Sequence, residues 1–424
     1  MTAAEDVHAK IRKRAVRVFP SSAGGVALAT ALAIVFARWM GIGQFGAFAF
    51  TYHAIRLMAL FGSLGFSQIA LRYVPRYHRD GHAGLLSGFM RVGLGVTLLG
   101  GLALGVAGFL LVLPLIEGSQ SHAALRHSWW LAALLATSLL LGGTLRGVGR
   151  VLLSSAPQGP VLNSVALAAG FLIVSLGWSM DAETGILAIA AGVVVALVIQ
   201  SWGLLKAEGG PAANHPPDYD IKAWAGSAPP LLILDGGRLA IVAGSVVLVR
   251  LMADEAAAGR FHAAIVLAGI VALPAQAVMA ASAREIALAV RRRDDLLALI
   301  MQCLRLILWP TIPLAIAILA VGPWALGLFG PGFAAAAPLL WLLVPAMALA
   351  PIALLMGFSL SLTPNLAPMA YRFGAFTVGG LAAFAVAVLL VGPIGAAAGM
   401  LAFEVMKIVW VVWLFRNYLR SIQT

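Results

Sequence analysis

Charge is scarce in this chain. Only 10% of its 424 residues are Asp, Glu, Lys or Arg, against 62% that are hydrophobic. A soluble domain carries roughly 25% charged residues to cover its surface, so an ordinary water-soluble fold is excluded and an apolar surrounding solvent is indicated. Cysteine is scarcer still. Cys303 stands alone inside an apolar run, which excludes an intramolecular disulfide and leaves the redox compartment open. Also missing are a CxxC pair, an HExxH, a P-loop and a nucleophile elbow, so no enzyme, cofactor or metal site is expected. Without nucleotide-binding sequence, any transport draws on an H+ or Na+ gradient, the membrane potential or the substrate's own gradient.

What the chain has is apolar runs separated by short polar breaks. A membrane-spanning helix needs about 20 apolar residues, and on that measure about twelve spans are expected: 18–38, 46–70, 86–115, 128–146, 157–178, 184–205, 224–250, 258–282, 297–321, 335–359, 367–391 and 394–415. The fold class is thus all-α integral membrane. The basic N-terminal stretch before the first run imitates a secretory leader, but the run continues to Trp39, too long for a leader's apolar core, and reads as a retained helix. Internal prolines such as Pro229-Pro230, Pro274 and Pro310 are tolerated where neighbouring helices satisfy freed carbonyls.

The net charge of +12 is a topological signal and does not point to nucleic acid. With the N-terminus placed in the cytoplasm, 19 of the 28 Lys and Arg fall on the cytoplasmic side. Only four, Arg38, Arg126, Arg250 and Arg260, fall on the other. This is the positive-inside pattern, and it places both termini in the cytoplasm. The longest loop opposite the cytoplasm, around Glu117 to Arg126, has no room for a catalytic domain. Trp39, Trp129, Trp130 and Trp178 fall near the non-cytoplasmic ends as interfacial belt residues.

The halves of the chain resemble each other. Arg38-Trp39-Met40 recurs as Arg250-Leu251-Met252, Gly46-Ala47-Phe48 as Gly259-Arg260-Phe261, Arg72 as Arg284 and Arg91 as Arg305, at offsets of 212 to 214. Six spans per half insert with the same orientation, giving a parallel repeat about the membrane normal. The expected division is an N-terminal lobe, 1–205, a cytoplasmic linker, 206–222, rich in Gly and Pro, and a C-terminal lobe, 223–424.

Chemistry is sought among ionisable groups inside spans: Arg56, Arg91, Asp235, Arg238, Arg305, Glu404 and Lys407, with His53 beside them. Each charge at the bilayer centre costs roughly 2.5–3.5 kcal/mol. Seven facing lipid would cost about 20 kcal/mol, more than a typical protein's whole stability, so they line a hydrated interior, pair or snorkel. His53, Arg56 and Ser63 lie at i, i+3 and i+10, one helix face, and Asp235, Arg238 and Ser245 repeat that spacing. Arg56 has no acid in its own span, so a cationic cavity for an anionic headgroup is the functional reading. For Arg238 the competing reading is an ion pair with Asp235 along one helix. Arg91 and Arg305 lie within snorkelling reach of the cytoplasmic ends, so anchoring competes there with substrate binding. Glu404 and Lys407 at i, i+3 read as a structural pair. His53 is read as a packed hydrogen-bonding residue, with proton carriage as the alternative. If transport is ion-coupled, Asp235, beside an expected break at Pro229-Pro230, is a better coupling acid than Glu404.

With Ala37-Arg38-Trp39-Met40-Gly41, Gln44-Phe45-Gly46, Leu71-Arg72-Tyr73, Leu145-Arg146-Gly147-Val148-Gly149-Arg150 and Leu328-Phe329-Gly330-Pro331-Gly332-Phe333 in this order, the chain resembles the polysaccharide-type flippases of the multidrug/oligosaccharidyl-lipid/polysaccharide (MOP) exporter superfamily. The resemblance implies a MATE-like V-shaped bundle of two parallel six-helix lobes working by alternating access. It implies as cargo an undecaprenyl-diphosphate-linked oligosaccharide, moved across a bacterial inner membrane for surface polysaccharide assembly alongside other proteins of that assembly. A diphosphate cargo agrees with four Arg and one Lys against two acids inside the spans. An ion-coupled antiporter of small organic molecules is the competing reading. A membrane polysaccharide polymerase or acyltransferase is a third, and it lacks the large loop it would need.

Overall fold

The computed structural model describes residues 3–206, 215–292, 296–361 and 366–423; residues 207–214 of the expected linker lie outside the described residues. The regular elements of the described residues are all helices, the longer ones being α1 Ala3–Gly62, α2 Phe66–Arg79, α3 Ala83–Val112, α4 Gln120–Ser128, α5 Leu131–Gly147, α6 Val151–Ala156, α7 Leu162–Ser175, α8 Ala182–Leu205, α9 Ile221–Met252, α10 Glu255–Gly269, α11 Leu273–Arg292, α12 Leu296–Gly327, α13 Ala337–Ser361, α14 Leu366–Val391 and α15 Pro393–Gln423.

Among the described residues, ten helices are long and apolar enough to cross a membrane, or eleven when α4 and α5, bent by 58°, form one span. The first of the ten, Ala23–Gly62, has 40 residues. At 1.5 Å per residue that is about 60 Å, twice the ~30 Å hydrocarbon core. Gly41, at φ 73° and ψ 173°, divides it, and glycine is the residue that adopts this conformation without strain. Counted as two limbs, it brings the spans to the expected twelve.

Three details depart from the expected spans. The second span, expected unbroken over 46–70, is interrupted at Ser63–Gly65, where Leu64 and Gly65 take φ of 46° and 83°. Ser63 therefore sits in the break and does not continue the helical face of His53 and Arg56. Conversely, the break expected at Pro229-Pro230 is absent, because α9 runs straight through both prolines. Their fixed φ is compatible with helix, and a packed membrane bundle tolerates the two missing donors. The span expected to start at 157 begins earlier with α6, joined to α7 by a π-helical turn at Pro157–Val161.

The chain forms two compact units, each drawn from separate stretches of the sequence. One comprises Met1–Ile34, Arg260–Met369 and Ala382–Thr424. Its core packs Ile11 of α1 with Ile286 of α11, Ile300 and Ile307 of α12, Leu355 of α13 and Phe415 of α15. Arg14 is tied to Glu285 at 2.9 Å. The other comprises Val35–Gly259 and Ala370–Leu381. Its core joins Phe66, Tyr73 and Tyr77 of α2, Phe89 of α3, Leu140 of α5 and the fully buried Trp224 of α9, whose indole N–H donates to the Tyr77 hydroxyl at 2.9 Å.

Candidate functional site

The break at Ser63–Gly65 places a polar cluster inside the second unit. Ser63 donates its hydroxyl to the Leu60 carbonyl at 2.7 Å, and the Ser67 hydroxyl lies 3.2 Å away. Gly65 has no Cβ, and one built there would lie 2.6 Å from the Ala228 carbonyl oxygen, so glycine lets α9 pass directly over the break. Beyond it, Gln68 Nε2 on α2 donates to Asp235 Oδ2 on α9 at 2.5 Å. The other carboxylate oxygen faces Arg238 Nη2 on the same helix at 3.4 Å. The expected alternative for Arg238, an ion pair one turn away, is thus present in the geometry. It is a loose pair: the Arg238 side chain is 64% exposed and that of Asp235 37%. Exposed pairs of this kind contribute little to stability.

On the opposite flank of α2 lies α5. A Cβ on Gly143 would sit 2.5 Å from the Ser67 carbonyl oxygen, so the two backbones nearly touch. One turn further on, Arg146 donates from Nε to Ser154 Oγ at 3.1 Å, while Ser154 donates to the Gly142 carbonyl at 2.7 Å. The buried serine thus serves as both acceptor and donor and holds the arginine's Nε. As a residue Arg146 is exposed.

Arg146 counts in the sequence among the cytoplasmic-side charges, and its bond to Ser154 was not anticipated there. A signal was present: Ser138, Gly142 and Arg146 recur every four residues along an otherwise apolar span, which makes one helix face. Along that face Ser138 donates to Gln200 Oε1 at 2.9 Å, and Gln158, in the π-helical turn, donates to the Ser138 carbonyl at 2.7 Å. Gln68 was overlooked as well.

Arg56 lies apart from this cluster. It is half-buried on α1, with its guanidinium 5.5 Å from the centre of the Tyr52 ring. Among the described residues no carboxylate pairs with it. His53 is buried, at 4% exposure, with the Tyr52 ring beside it. Arg91 on α3 and Arg305 on α12 are exposed, and no ion pair holds either among the described residues. In the other unit Lys407 Nζ stands 2.6 Å from the Glu404 carboxylate, with both side chains largely buried. The structure thus brings Asp235 and Arg238 together, adds Gln68, and keeps Glu404 with Lys407.

No family model matches the chain, and no curated protein matches it. Solved structures do. A multidrug resistance MATE family transporter of the MOP superfamily in its inward-facing conformation shares 13% identity, covers 96% of each chain and has a TM-score of 0.69. The outward-facing conformation of a MATE family transporter gives 14% identity, 99% coverage of each chain and a TM-score of 0.65. A MOP superfamily transporter from Pyrococcus furiosus, described as having a binding pocket whose reverse polarity suggests a different function, gives 15% identity, covers 100% of this chain and 99% of that one, and has a TM-score of 0.63. The fold is therefore that of a MOP/MATE-like multi-pass membrane bundle.

Proposed function

We propose that this protein is a flippase that moves an undecaprenyl-diphosphate-linked oligosaccharide across the bacterial inner membrane by alternating access. The lobes are 1–205 and 223–424, and both termini lie in the cytoplasm; reporter fusions at Gly209 and after Thr424 that read out on the other side would overturn this topology. The observation that carries the reading is Arg56, a half-buried cation in an apolar helix with no acidic partner among the described residues. An uncompensated arginine at membrane depth is costly, and a polyanionic headgroup supplies the missing charge. Arg suits this role because its fork grips phosphate oxygens and stays charged at any accessible pH. Arg238, Arg91 and His53 add to the receiving surface in the same unit, and Arg305 is a further substrate-binding candidate in the other. Asp235 is the coupling acid if an ion drives the cycle. The test is deletion in the native host followed by analysis of lipid-linked sugars: a flippase leaves them accumulated on the inner leaflet, and unchanged levels would sink the proposal.

The second reading, an ion-coupled antiporter of small organic molecules, is favoured by the multidrug transporters among the structures of the same fold. A cationic drug needs an available carboxylate. Here Asp235 is already engaged by Gln68 and Arg238, and Glu404 by Lys407. One solved structure of this fold is described by a pocket of reverse polarity, so the fold is compatible with more than one pocket charge.

A further inference from the structure

The guanidinium of Arg56 has no acid beside it among the described residues, but it does have an aromatic face. Its Cζ stands over the Tyr52 ring, 5.5 Å from the centre, inside the ~6 Å reach of a cation–π contact. Tyr52 lies one turn earlier on α1, at i−4, so the two side chains share one helix face. The Tyr52 ring is itself held. It runs parallel to the Phe48 ring, a further turn back, with centres 6.0 Å apart and planes 1° apart. Phe48 is buried, and it packs on Phe45 at 6.0 Å and edge-on against Phe36 at 5.5 Å, both fully buried. In a straight helix Phe36 and Phe48 would be about 18 Å apart; the turn at Gly41 folds the two limbs of α1 so that these rings meet. A Cβ on Gly185 of α8 would come within 3.1 Å of the Phe48 ring, so a second helix backs it. The anchored rings end, at their half-buried tip, in Tyr52 and then Arg56.

We propose that Tyr52 is the positioning residue for Arg56: its ring holds the guanidinium in place without neutralising it and leaves the fork free for a phosphate of the cargo. A carboxylate in that place would bind the arginine more tightly, but it would occupy the donors and repel the incoming anion. The face of a ring attracts the cation through its quadrupole and does not take up the in-plane N–H donors. While no cargo is bound, the ring also offsets part of the cost of an unpaired charge in an apolar helix. This role for Tyr52 rests on the anionic-cargo reading above, and it explains why no acid need accompany Arg56.

Purified protein in detergent is titrated with farnesyl diphosphate, as a soluble prenyl diphosphate, and with farnesol as the uncharged control. The wild-type protein is expected to bind the diphosphate more tightly than the alcohol, and Arg56→Ala to remove most of that difference. Tyr52→Phe keeps the ring and stays within about twofold of wild type, whereas Tyr52→Leu weakens diphosphate binding about fivefold. In an Arg56→Ala background Tyr52→Leu causes no further loss, because the ring acts only through the arginine. Phenylalanine analogues of increasing ring fluorination at position 52 keep the shape while draining charge from the ring face, so affinity falls stepwise. That series decides the matter should Tyr52→Leu fold poorly. Unchanged affinity across the fluorinated series, or a Tyr52→Leu loss that persists in the Arg56→Ala background, overturns the role of Tyr52 while the anionic-cargo reading stands. Equal binding of the diphosphate and the alcohol by the wild-type protein overturns both together.

Discussion

Gly46 and Gly259 meet backbone to backbone. A Cβ on Gly46 would lie 2.9 Å from the Gly259 nitrogen and overlap the Glu255 carbonyl, and one on Gly259 would lie 2.5 Å from the Ile42 carbonyl oxygen. These glycines are the pair that the internal repeat aligns, at an offset of 213. Small residues at a helix crossing let backbones approach when no hydrophobic force drives helices together in lipid. Gly46→Ala is therefore expected to lower the melting temperature of the purified protein by several degrees, in line with overpacking costs of roughly 1–3 kcal/mol. Gly95→Ala, in a helix with open space around the site, is expected to be neutral or slightly stabilising. Equal melting temperatures for the two variants would show that the crossing is not tight.

Next to that crossing, Glu255 gathers three donors on one oxygen. The Ser121 N–H and hydroxyl donate at 2.8 Å each, and Arg250 Nη2 lies 3.3 Å away. Arg250 also donates from Nε to Ser121 Oγ at 2.9 Å. The side chains of Arg250 and Glu255 are only 12% and 17% exposed. Removing one partner of a mostly buried pair leaves an uncompensated charge and costs about 3–5 kcal/mol. Glu255→Ala is expected near that range, with the helix start at Ser121 uncapped. The double variant with Arg250→Ala is expected to cost clearly less than the sum of the singles in a double-mutant cycle. Additive effects would mean that the two side chains do not act together.

The all-helical run of apolar segments was legible in the sequence because hydropathy reports the solvent around each segment. The break at Ser63-Leu64-Gly65 was not, since those residues continue an apolar run. What bends the chain there is the close passage of Ala228, 163 positions away. Conversely, Pro229-Pro230 looked like a break and is not one, because membrane helices find substitutes for the lost donors. The pairing of Asp235 with Arg238 was readable at i, i+3. The bond from Gln68, in the other half of the sequence, was not, because no local pattern encodes it. The bond from Arg146 to Ser154 was not legible either, because a basic residue that closes an apolar span reads first as a topology signal.

Glu404 and Lys407 offer a test of structural pairing in the other unit. Their 2.6 Å contact is largely buried, so Glu404→Gln alone leaves a buried lysine without its counter-charge. That variant is expected to lose yield and thermal stability in detergent. Glu404→Gln together with Lys407→Met is expected to recover most of both, since replacing a buried pair by uncharged groups of similar volume is often close to neutral. If the single variant is as stable as the double, the pair has no structural role and Glu404 returns as a coupling candidate.

Arg56 and Arg238 are the residues whose loss should separate transport from folding. Neither holds the structure together: Arg56 has no acid partner among the described residues, and Arg238 is mostly exposed and holds Asp235 only at 3.4 Å while Gln68 keeps that carboxylate in place. Arg56→Ala and Arg238→Ala are thus expected to reach the membrane at near-normal abundance, with stability changes within about 1 kcal/mol. Each should nevertheless block surface glycan assembly in a complementation assay, because the diphosphate loses a bidentate partner. Lysine at either position should restore only part of the activity, since an ammonium binds phosphate as a point charge and without the fork. Arg91→Ala should be milder, because Arg91 stands exposed on α3, with no ion pair among the described residues, about 12 Å along the helix from its start. If both alanine variants are well expressed and fully complement the deletion, the cationic mechanism is wrong and the antiporter reading moves ahead. If only Arg56→Ala fails, the headgroup is held at α1 alone and the cluster around Asp235 has another task.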